Sequence, residues 1–346
     1  MTGVQTCALP ISLPVLQGVL VEASAGGKLV VTGTDLEVTV RTSGQVEVME
    51  EGKAVIPGRL LSEAARKMPP GVVMVGVNDG DVEIVGKGPR FTLRTLSLDD
   101  FPSLDDRPVE GVEVDGEELV AALAQVVVAS SSDAARPILT GVLFEAAETG
   151  LRLVATDSYR LAVRDLPGMG IAGQGLVPAR GLRELARTIG AAKVTAGLAD
   201  REAVFSSEKG SLRIRLIEGA FPKYRSLLPE SYPTQVVMDK EAVLEALGRV
   251  ALVAEDHIPV RLRIGEGGVE VNVTRQDVGG EVEHLAGQFS GPDEILIAFN
   301  PRYLAEGVAA IAGDKVRMRL IDGLKPSVID GDNDGGFLYL LMPVRI

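Results

Sequence analysis

Few of the 346 residues in this sequence are of the types that carry out enzyme chemistry. The two histidines, His257 and His284, and the single cysteine, Cys7, leave little material for a zinc site and none for an intramolecular disulfide. His257 follows two acidic residues at a helix end and His284 lies in a strand pattern, which favours ordinary surface positions over general bases. The sequence contains no phosphate-binding glycine loop, nucleophile elbow or paired-cysteine motif. We therefore expect no catalytic residue, no cofactor and no metal.

An acidic run near the C-terminus, residues 330–335, imitates the first half of a calcium-binding EF-hand loop. The twelfth position of such a loop requires a glutamate, but it is Leu341 here, and a strand pattern follows where a helix is required. A solvated turn is the better interpretation of this run.

Arginines recur on the polar faces of helical patterns, at Arg59, Arg66, Arg180, Arg183, Arg187 and Arg302. At 100° per residue the first two lie within about 20° of each other, and the next three span about 60°. The net charge of −13 favours a protein-binding or metabolic role over a surface that wraps DNA. One basic face on an acidic protein remains compatible with DNA contact, and arginines on an ordinary solvated helix are the alternative.

Hairpin patterns must position these helices. Residues 151–163 alternate apolar and polar side chains around a tight turn at Asp157, residues 29–41 do the same around Asp35, and residues 269–285 form a degraded copy around Asp277. The three aspartates are separated by 122 and 120 residues. A period of this length is the size of one autonomous domain, so the sequence predicts three tandem copies of one fold.

Each copy is predicted to be an α+β unit in which mostly antiparallel strands cover one face of two helices. We expect domains at residues 1–108, 109–234 and 235–346. In the second and third copies a strand and an amphipathic helix precede the hairpin, and Asp115 is the expected N-cap of the first of these helices. Residues 1–12 resemble neither element, so we expect a truncated first domain with a foreign tail; a naturally short first domain is the alternative. With no apolar run of membrane-spanning length and no secretion signal, we predict a cytoplasmic protein.

From Leu13 onward the sequence resembles the bacterial sliding clamps, the β subunits of DNA polymerase III. The matching motifs are LPVLQGVL with TGTDLE, DDFPSLDD, RPILTGVLFE with LVATDSYRLAV, FPKYRSLLP and the terminal YLLMPVRI. The resemblance implies a head-to-tail homodimer whose clamp-type domains form a ring, with sheets outside and helices lining a hole around duplex DNA. It also implies a non-catalytic processivity factor that holds the polymerase by enclosing DNA and contacts phosphates without sequence preference, as the recurring arginines could do.

The resemblance further implies that the polymerase III α subunit, the clamp loader and repair proteins bind through short peptides in a cleft between domains two and three. Carried over by position, that cleft comprises Leu139, Thr156, Ser158, Tyr159, Arg160, Leu161, Pro222, Leu227, Leu340, Leu341, Met342, Pro343, Val344 and Arg345. The alternative for its leucines is plain core, whereas methionine and proline at an apolar chain end favour a groove. The family's dimer contact maps to Phe91 and Leu93 in RFTLRTL and to Leu252 in the partner subunit's matching region.

Two other classes of protein stay open at this point. A cytoplasmic α+β enzyme with a triplicated domain would need a constellation of catalytic groups, which the sequence does not offer. A calcium-dependent extracellular repeat protein built on residues 330–334 would need a secretion signal and metal ligands in the other two copies.

Overall fold

The computed structural model describes residues 13–104, 110–189, 193–254, 258–332 and 335–345. Four of the expectations lie outside the described residues. They concern residues 1–12, His257, the middle of the acidic run and the domain boundary at residue 108. By its internal contacts the chain divides into two compact units. Unit one comprises residues 1–110, 185–190 and 204–215, and unit two comprises residues 111–184, 191–203 and 216–346.

The three repeats contain similar elements in the same order. The first repeat comprises β1 (Gly18–Ser24), β2 (Lys28–Thr34), β3 (Val38–Gln45), β4 (Gly52–Pro57), α1 (Gly58–Lys67), β5 (Met74–Asn78), β6 (Asp81–Val85) and β7 (Arg90–Arg94). The second comprises β8 (Val112–Asp115), α2 (Gly116–Val127), β9 (Gly141–Ala147), β10 (Gly150–Thr156), β11 (Arg160–Pro167), β12 (Gln174–Pro178), α3 (Ala179–Leu182), α4 (Leu185–Ile189), β13 (Lys193–Leu198), β14 (Glu202–Ser207) and β15 (Gly210–Arg215). The third comprises β16 (Thr234–Asp239), α5 (Lys240–Val250), β17 (Val260–Gly265), β18 (Gly268–Arg275), β19 (Gly279–Leu285), β20 (Gly287–Ser290), β21 (Ile295–Phe299), α6 (Pro301–Ala310), β22 (Lys315–Leu320), β23 (Ser327–Asp330) and β24 (Phe337–Leu341).

The aspartate turns have the same local chemistry in the first two repeats. The side chain of Asp35 accepts hydrogen bonds from the backbone N–H groups two and three residues later at 3.0 and 2.7 Å, and Asp157 does the same at 2.9 and 3.0 Å. The residue after each aspartate, Leu36 or Ser158, has a left-handed φ of +73° or +82°. Both predicted hairpins are confirmed, and in the third the side chain of Asp277 instead accepts from Arg275 at 2.9 Å.

Unit one contains the strand order β4-β1-β2-β3-β15 and a separate three-stranded sheet, β5-β6-β7. Helix α1 packs against β1 and β4 and buries Ala64. The apolar core beneath it consists of Ala54, Ile56, Ala64, Val82 and Ile84, with Val21, Leu61, Met68, Phe91 and Leu93 packed around them. The alternation of apolar residues along β6 places Val82 and Ile84 on the core face, as a half-buried strand requires.

Unit two contains a nine-stranded sheet with the order β12-β9-β10-β11-β24-β23-β22-β16-β20 and a four-stranded sheet, β19-β18-β17-β21. The antiparallel pair β11–β24, in register from Arg160 with Leu341 to Arg164 with Phe337, joins the second and third repeats in one sheet. Helix α2 packs on β10 and β11, while α5 packs on α6. Leu161 and Leu340 lie in the same apolar cluster at this junction.

Helix α2 begins as predicted, because the side chain of Asp115 accepts hydrogen bonds from the two N–H groups of the first turn at 2.9 and 3.0 Å. Helix α5 ends at Val250, the last residue of its buried stripe; Leu252 falls off that stripe and is 84% exposed. The helical segment that carries Arg180, Arg183 and Arg187 is interrupted between α3 and α4. Gly181, which has a low helix propensity, stands just before this interruption.

In the described parts of the chain no helix is both long and apolar enough to cross a membrane. The same residues contain no group of three or more histidine, cysteine, aspartate or glutamate side chains that could hold a metal ion.

Candidate functional site

The candidate site lies where the turn between β10 and β11 meets the C-terminal segment in unit two. The backbone N–H of Met342 donates a hydrogen bond to the carbonyl oxygen of Tyr159 at 2.9 Å. Two residues later, the N–H of Val344 donates to the carbonyl oxygen of Ala298 at 2.8 Å. The chain beyond β24 is therefore held between a turn of the second repeat and a strand of the third.

The predicted cleft residues divide into a closed floor and an exposed rim. The buried members are Leu139, Thr156, Arg160, Leu161, Leu340 and Leu341. The exposed members are Ser158, Tyr159, Pro222, Leu227, Met342, Val344 and Arg345, while Pro343 is half-buried. Leu161 and Leu341 have no exposed area, so these two agree with the plain-core alternative and underlie the surface. The rim, by contrast, offers apolar area at Tyr159, Leu227, Met342 and Val344, which are 57, 47, 39 and 38% exposed.

The apolar cluster at the repeat junction links several of these segments. It includes Leu161, Leu340 and Tyr224, with Ile138 and Phe221 packed against them. Ile138 and Phe221 are the sequence neighbours of the predicted cleft residues Leu139 and Pro222. Tyr224 is three residues from Leu227. The structure thus brings the segments around residues 139, 161, 222, 227 and 340 onto one core.

Arg160 is at the centre of a buried polar network beneath the turn. Its guanidinium bonds to Asp157 at 2.9 Å, to Glu306 and to the Tyr339 hydroxyl at 3.3 Å, and lies 4.2 Å from the ring centroid of Tyr303. The Tyr339 hydroxyl donates onward to the carbonyl oxygen of Tyr303 at 2.9 Å. Since Arg160 is 6% exposed, its role in this structure is to fix the turn.

The network holds its charged members in their ionised states. Burial alone would lower the pKa of Arg160, but the Tyr339 and Glu306 oxygens outweigh it and the pKa is raised. Burial likewise opposes ionisation of Glu306, yet hydrogen bonds from Arg302 and Arg160 leave its pKa below the ordinary value. Burial raises the pKa of Tyr339, so this hydroxyl stays protonated and can donate.

Tyr303 is a residue that sequence reasoning missed. Its ring lies 6.3 Å from that of Tyr159, which makes an aromatic pair beside the exposed rim. It stands next to Arg302, so its place at the start of α6 is the sequence signal that could have pointed to it.

The predicted DNA-contact arginines are all exposed: Arg59, Arg66, Arg180, Arg183, Arg187 and Arg302. Some have intramolecular partners. Arg59 pairs with Glu63 at 2.9 Å, and Arg302 pairs with Glu306 at 2.9 Å. Arg183 donates to the Ser130 hydroxyl at 3.3 Å.

The predicted dimer residues differ in their surroundings. Phe91 and Leu93 are half-buried and pack against the core of the first repeat, whereas Leu252 is 84% exposed. Strand β7 is nevertheless an edge of its sheet, and so is β19 of the third repeat. The outward residues of β7 include Arg90 and Arg94, while β19 carries two glutamates.

Three repeats of one α+β unit, with an exposed apolar rim over buried residues, are the features of a binding protein built from tandem domains. Models of the N-terminal, central and C-terminal domains of the DNA polymerase III beta subunit match residues 10–105, 113–223 and 225–345. The chain belongs to the DNA polymerase III beta subunit family.

Individual relatives agree. The beta sliding clamp of Streptomyces coelicolor is 34% identical, over 96% of this chain and 92% of the relative. The solved beta subunit of Thermotoga maritima superposes with a TM-score of 0.88 at 25% identity, covering 96% of this chain and 92% of that one. The Pseudomonas aeruginosa clamp, solved bound to griselimycin, has a TM-score of 0.88 at 28% identity, covering 97% and 93%.

These matches confirm the predicted family and its three tandem α+β clamp domains. The protein is a DNA sliding clamp, a non-catalytic processivity subunit of DNA polymerase III, and acts in DNA replication. The alternative of a triplicated-domain enzyme is thereby set aside.

Proposed function

We propose that two copies of this chain, each with domains at residues 1–108, 109–234 and 235–346, close head to tail into a ring around duplex DNA in the cytoplasm. Partner proteins, including the polymerase III α subunit, the clamp loader and repair proteins, dock on it through short peptides. The observation that carries the docking proposal is the apolar rim of Tyr159, Leu227, Met342 and Val344 above a closed floor.

The rim suits an extended peptide with leucine or phenylalanine anchors. Tyr159 and Tyr303 offer an aromatic wall, and Met342 offers an unbranched side chain that can adapt to its ligand. The Arg160 network fixes the turn that bears Tyr159, so little conformational entropy is lost at this wall when a peptide binds. Exposed Arg345 and Ser158 supply polar groups at the rim.

The docking proposal is tested by fluorescence anisotropy with a labelled peptide that carries leucine and phenylalanine anchors. Met342→Ala and Leu227→Ala should each weaken binding by about tenfold, because an anchor pocket loses roughly 1–2 kcal/mol of apolar contact. Leu324→Ala is the matched control, since Leu324 is a 79% exposed apolar residue of the same repeat as Met342 and lies outside the rim. Griselimycin serves as the competitor. Unchanged affinity in both rim variants would remove these residues from the site.

The DNA proposal rests on the exposed arginines of the helical segments. Phosphate contacts release counterions, so their number appears in the salt dependence of retention on circular DNA. Neutralising Arg66, Arg180 and Arg187 together should weaken retention and flatten its salt dependence, roughly in proportion to the contacts removed. Identical retention at every salt concentration would contradict the assignment.

The dimer proposal rests on the two edge strands and their charges. Arg90 and Arg94 on β7 are opposite in charge to Glu281 on β19, whereas Glu283 on the same strand already accepts two hydrogen bonds from Arg249 of its own chain. Edge strands with open ladders can continue a sheet between two copies. Since Phe91 and Leu93 pack on the core of the first repeat, their role in such an interface is to position the strand.

Charge reversal tests the dimer without disturbing that core. Arg90→Glu with Arg94→Glu should shift the protein toward monomer in light scattering, because like charges would then face each other across the two strands. Adding Glu281→Arg in the same chain should shift the protein back toward the dimer, and Glu283 is left unchanged because it binds Arg249 of its own chain. A dimer that withstands the two arginine substitutions, or a monomer that Glu281→Arg does not shift back, would refute this strand pairing.

A further inference from the structure

The two walls of the peptide rim lie on segments of different kinds. Tyr159 lies on the hairpin turn that the Arg160 network fixes, whereas Leu227 ends a short 3-10 turn, Tyr224–Leu227, in the connection between β15 and β16. A 3-10 turn has poor hydrogen-bond geometry, and this one spans only four residues. Its backbone alone is therefore a weak support for an exposed leucine.

The turn packs on the sheet through the residues that flank Leu227. Tyr224 is 3% exposed and belongs to the apolar cluster at the repeat junction, and Leu228 packs against the same cluster. The ring of Phe221 lies edge-on to that of Tyr224, with 6.3 Å between the ring centroids. Leu227 itself is 47% exposed, so the way in which its neighbours are held decides where its side chain stands.

One carboxylate on β9 holds the first half of the turn. Glu145 accepts a hydrogen bond from the Tyr224 hydroxyl at 2.8 Å and two from the Arg225 guanidinium at 3.2 and 2.6 Å. The same guanidinium lies 4.9 Å from the centroid of the Tyr224 ring. Two consecutive residues of the turn are thus bound to one side chain of the sheet, and the bonds from the arginine are charge-assisted, which makes them strong.

The charges around Glu145 keep it ionised. Arg152 on β10 stands directly opposite it, and Asp165 on β11 is opposite Arg152 in turn and binds it at 2.5 and 2.8 Å. Burial opposes ionisation of Glu145, but the hydrogen bonds from Arg225 and Tyr224 outweigh it, and the pKa of Glu145 lies below its ordinary value. Burial raises the pKa of Tyr224, so its hydroxyl stays protonated and donates.

We infer that Glu145 is a positioning residue for peptide docking, which holds Leu227 in place in the rim through Tyr224 and Arg225. The inference rests on the docking proposal above. A turn held in this way loses little conformational freedom when a peptide binds, and without the carboxylate that loss would be added to the cost of binding. Each wall of the rim thus has its own polar support, Arg160 for Tyr159 and Glu145 for Leu227.

The test compares Glu145→Ala, Leu227→Ala and the double variant in fluorescence anisotropy, with the labelled peptide that carries leucine and phenylalanine anchors. Glu145→Ala should weaken binding by about fivefold, because the peptide then has to order the turn. In the Leu227→Ala background the same change should have no further effect, since Glu145 acts through that leucine. Glu145→Gln keeps an acceptor for the Tyr224 hydroxyl and should recover part of the lost affinity. Glu113→Ala is the matched control, since Glu113 lies on β8 of the same repeat, pairs with Lys193 at 2.5 Å and is outside the rim.

Amide hydrogen exchange measures the positioning without any peptide. The backbone N–H groups of Tyr224 and Leu228 donate to the carbonyl oxygens of Pro222 and Arg225 at 2.7 and 3.3 Å. In Glu145→Ala these two amides should exchange about fivefold faster or more, because the turn opens more often. The amides of β9 should stay slow, which would show that the sheet is still folded.

The outcomes separate this inference from the docking proposal. If Leu227→Ala weakened binding and Glu145→Ala did not, the inference would fall and the docking proposal would stand. The inference would also fall if Glu145→Ala weakened binding by the same factor with and without Leu227, or if exchange in the turn did not change. Unchanged affinity in Leu227→Ala would overturn the inference as well, and the docking proposal with it if Met342→Ala were also without effect.

Discussion

Replacing Arg160 with methionine should cost unit two far more stability than any other arginine substitution proposed above. The guanidinium is 7% exposed and its partner Asp157 is 9% exposed, so the pair is shielded from water. Methionine keeps the apolar stem of the side chain but removes every donor. Asp157 and Tyr339 would then each lose a buried hydrogen-bond partner.

The magnitude follows from the groups left behind. Removing one partner of a buried ion pair costs about 3–5 kcal/mol. Asp157 keeps its two backbone N–H donors, and Glu306 keeps its bond to Arg302 at 2.9 Å, so the cost should fall at the lower end, about 3 kcal/mol. Arg302→Met is the matched control because its side chain is 64% exposed and shares Glu306; it should cost less than about 1 kcal/mol.

Tyrosine fluorescence isolates the relevant unit. The chain has five tyrosines and no tryptophan, and Tyr159, Tyr224, Tyr232, Tyr303 and Tyr339 all belong to unit two. Urea unfolding followed by this signal therefore reports on unit two alone, with the midpoint shift converted through an unchanged slope. If Arg160→Met and Arg302→Met had equal midpoints, the network would contribute nothing beyond a surface ion pair.

The pH dependence gives an independent check. The pKa of Glu306 in the folded protein is lowered from its ordinary value of 4.5, with the hydrogen bonds from Arg302 and Arg160 outweighing burial. A lowered folded pKa contributes stability above the unfolded value, which is lost as pH falls through the folded pKa. The penalty of Arg160→Met should therefore be full at pH 7 and shrink below pH 4.5.

Four further substitutions test other parts of the fold. Gly307→Ala should destabilise unit two by about 2 kcal/mol in the same urea assay, because the new methyl group would overlap the Tyr339 ring. Gly248→Ala on α5 has open space around it and should stabilise the unit by about 1 kcal/mol. A stabilising effect of Gly307→Ala would contradict the packing. Asp115→Ala should cost about 1 kcal/mol by removing the N-cap of α2, and no change in the urea midpoint would count against that cap. Leu36→Gly should raise the thermal midpoint of unit one by relieving a φ of +73° at an exposed side chain, and a lower midpoint would refute the strain argument.

The local chemistry of the repeats could be predicted from the sequence. The two-residue alternation around Asp35 and Asp157 fixes the hairpins, because an aspartate side chain can satisfy the N–H groups of the turn wherever the turn stands in the chain. The start of α2 was likewise visible, since its cap depends on one residue and the apolar stripe that follows. These features involve neighbours in sequence, which a pattern can show.

Features that depend on distant residues could not be predicted. The alternation in RFTLRTL places Phe91 and Leu93 on one face, but it does not say whether that face meets the first repeat's own core or a second chain. Tyr303 reaches Tyr159 only because β11 and β24 join two repeats in one sheet. The burial of Arg160 follows from Glu306 and Tyr339, which lie 146 and 179 residues away.

Glu306 links a proposed DNA-contact arginine to the peptide rim, two sites that the sequence pattern alone does not connect. One oxygen accepts from Arg302, a proposed DNA contact, and the other accepts from Arg160, which fixes the turn bearing Tyr159 in the peptide rim. Removing Arg302 would leave Glu306 bound to Arg160 alone, so a change in DNA retention by that variant could arise from the rim as well as from a lost phosphate contact. Arg66, Arg180 and Arg187 are therefore the better probes of DNA contact. An effect of Arg302→Met on peptide affinity, absent from the triple variant, would measure the coupling through this shared carboxylate directly.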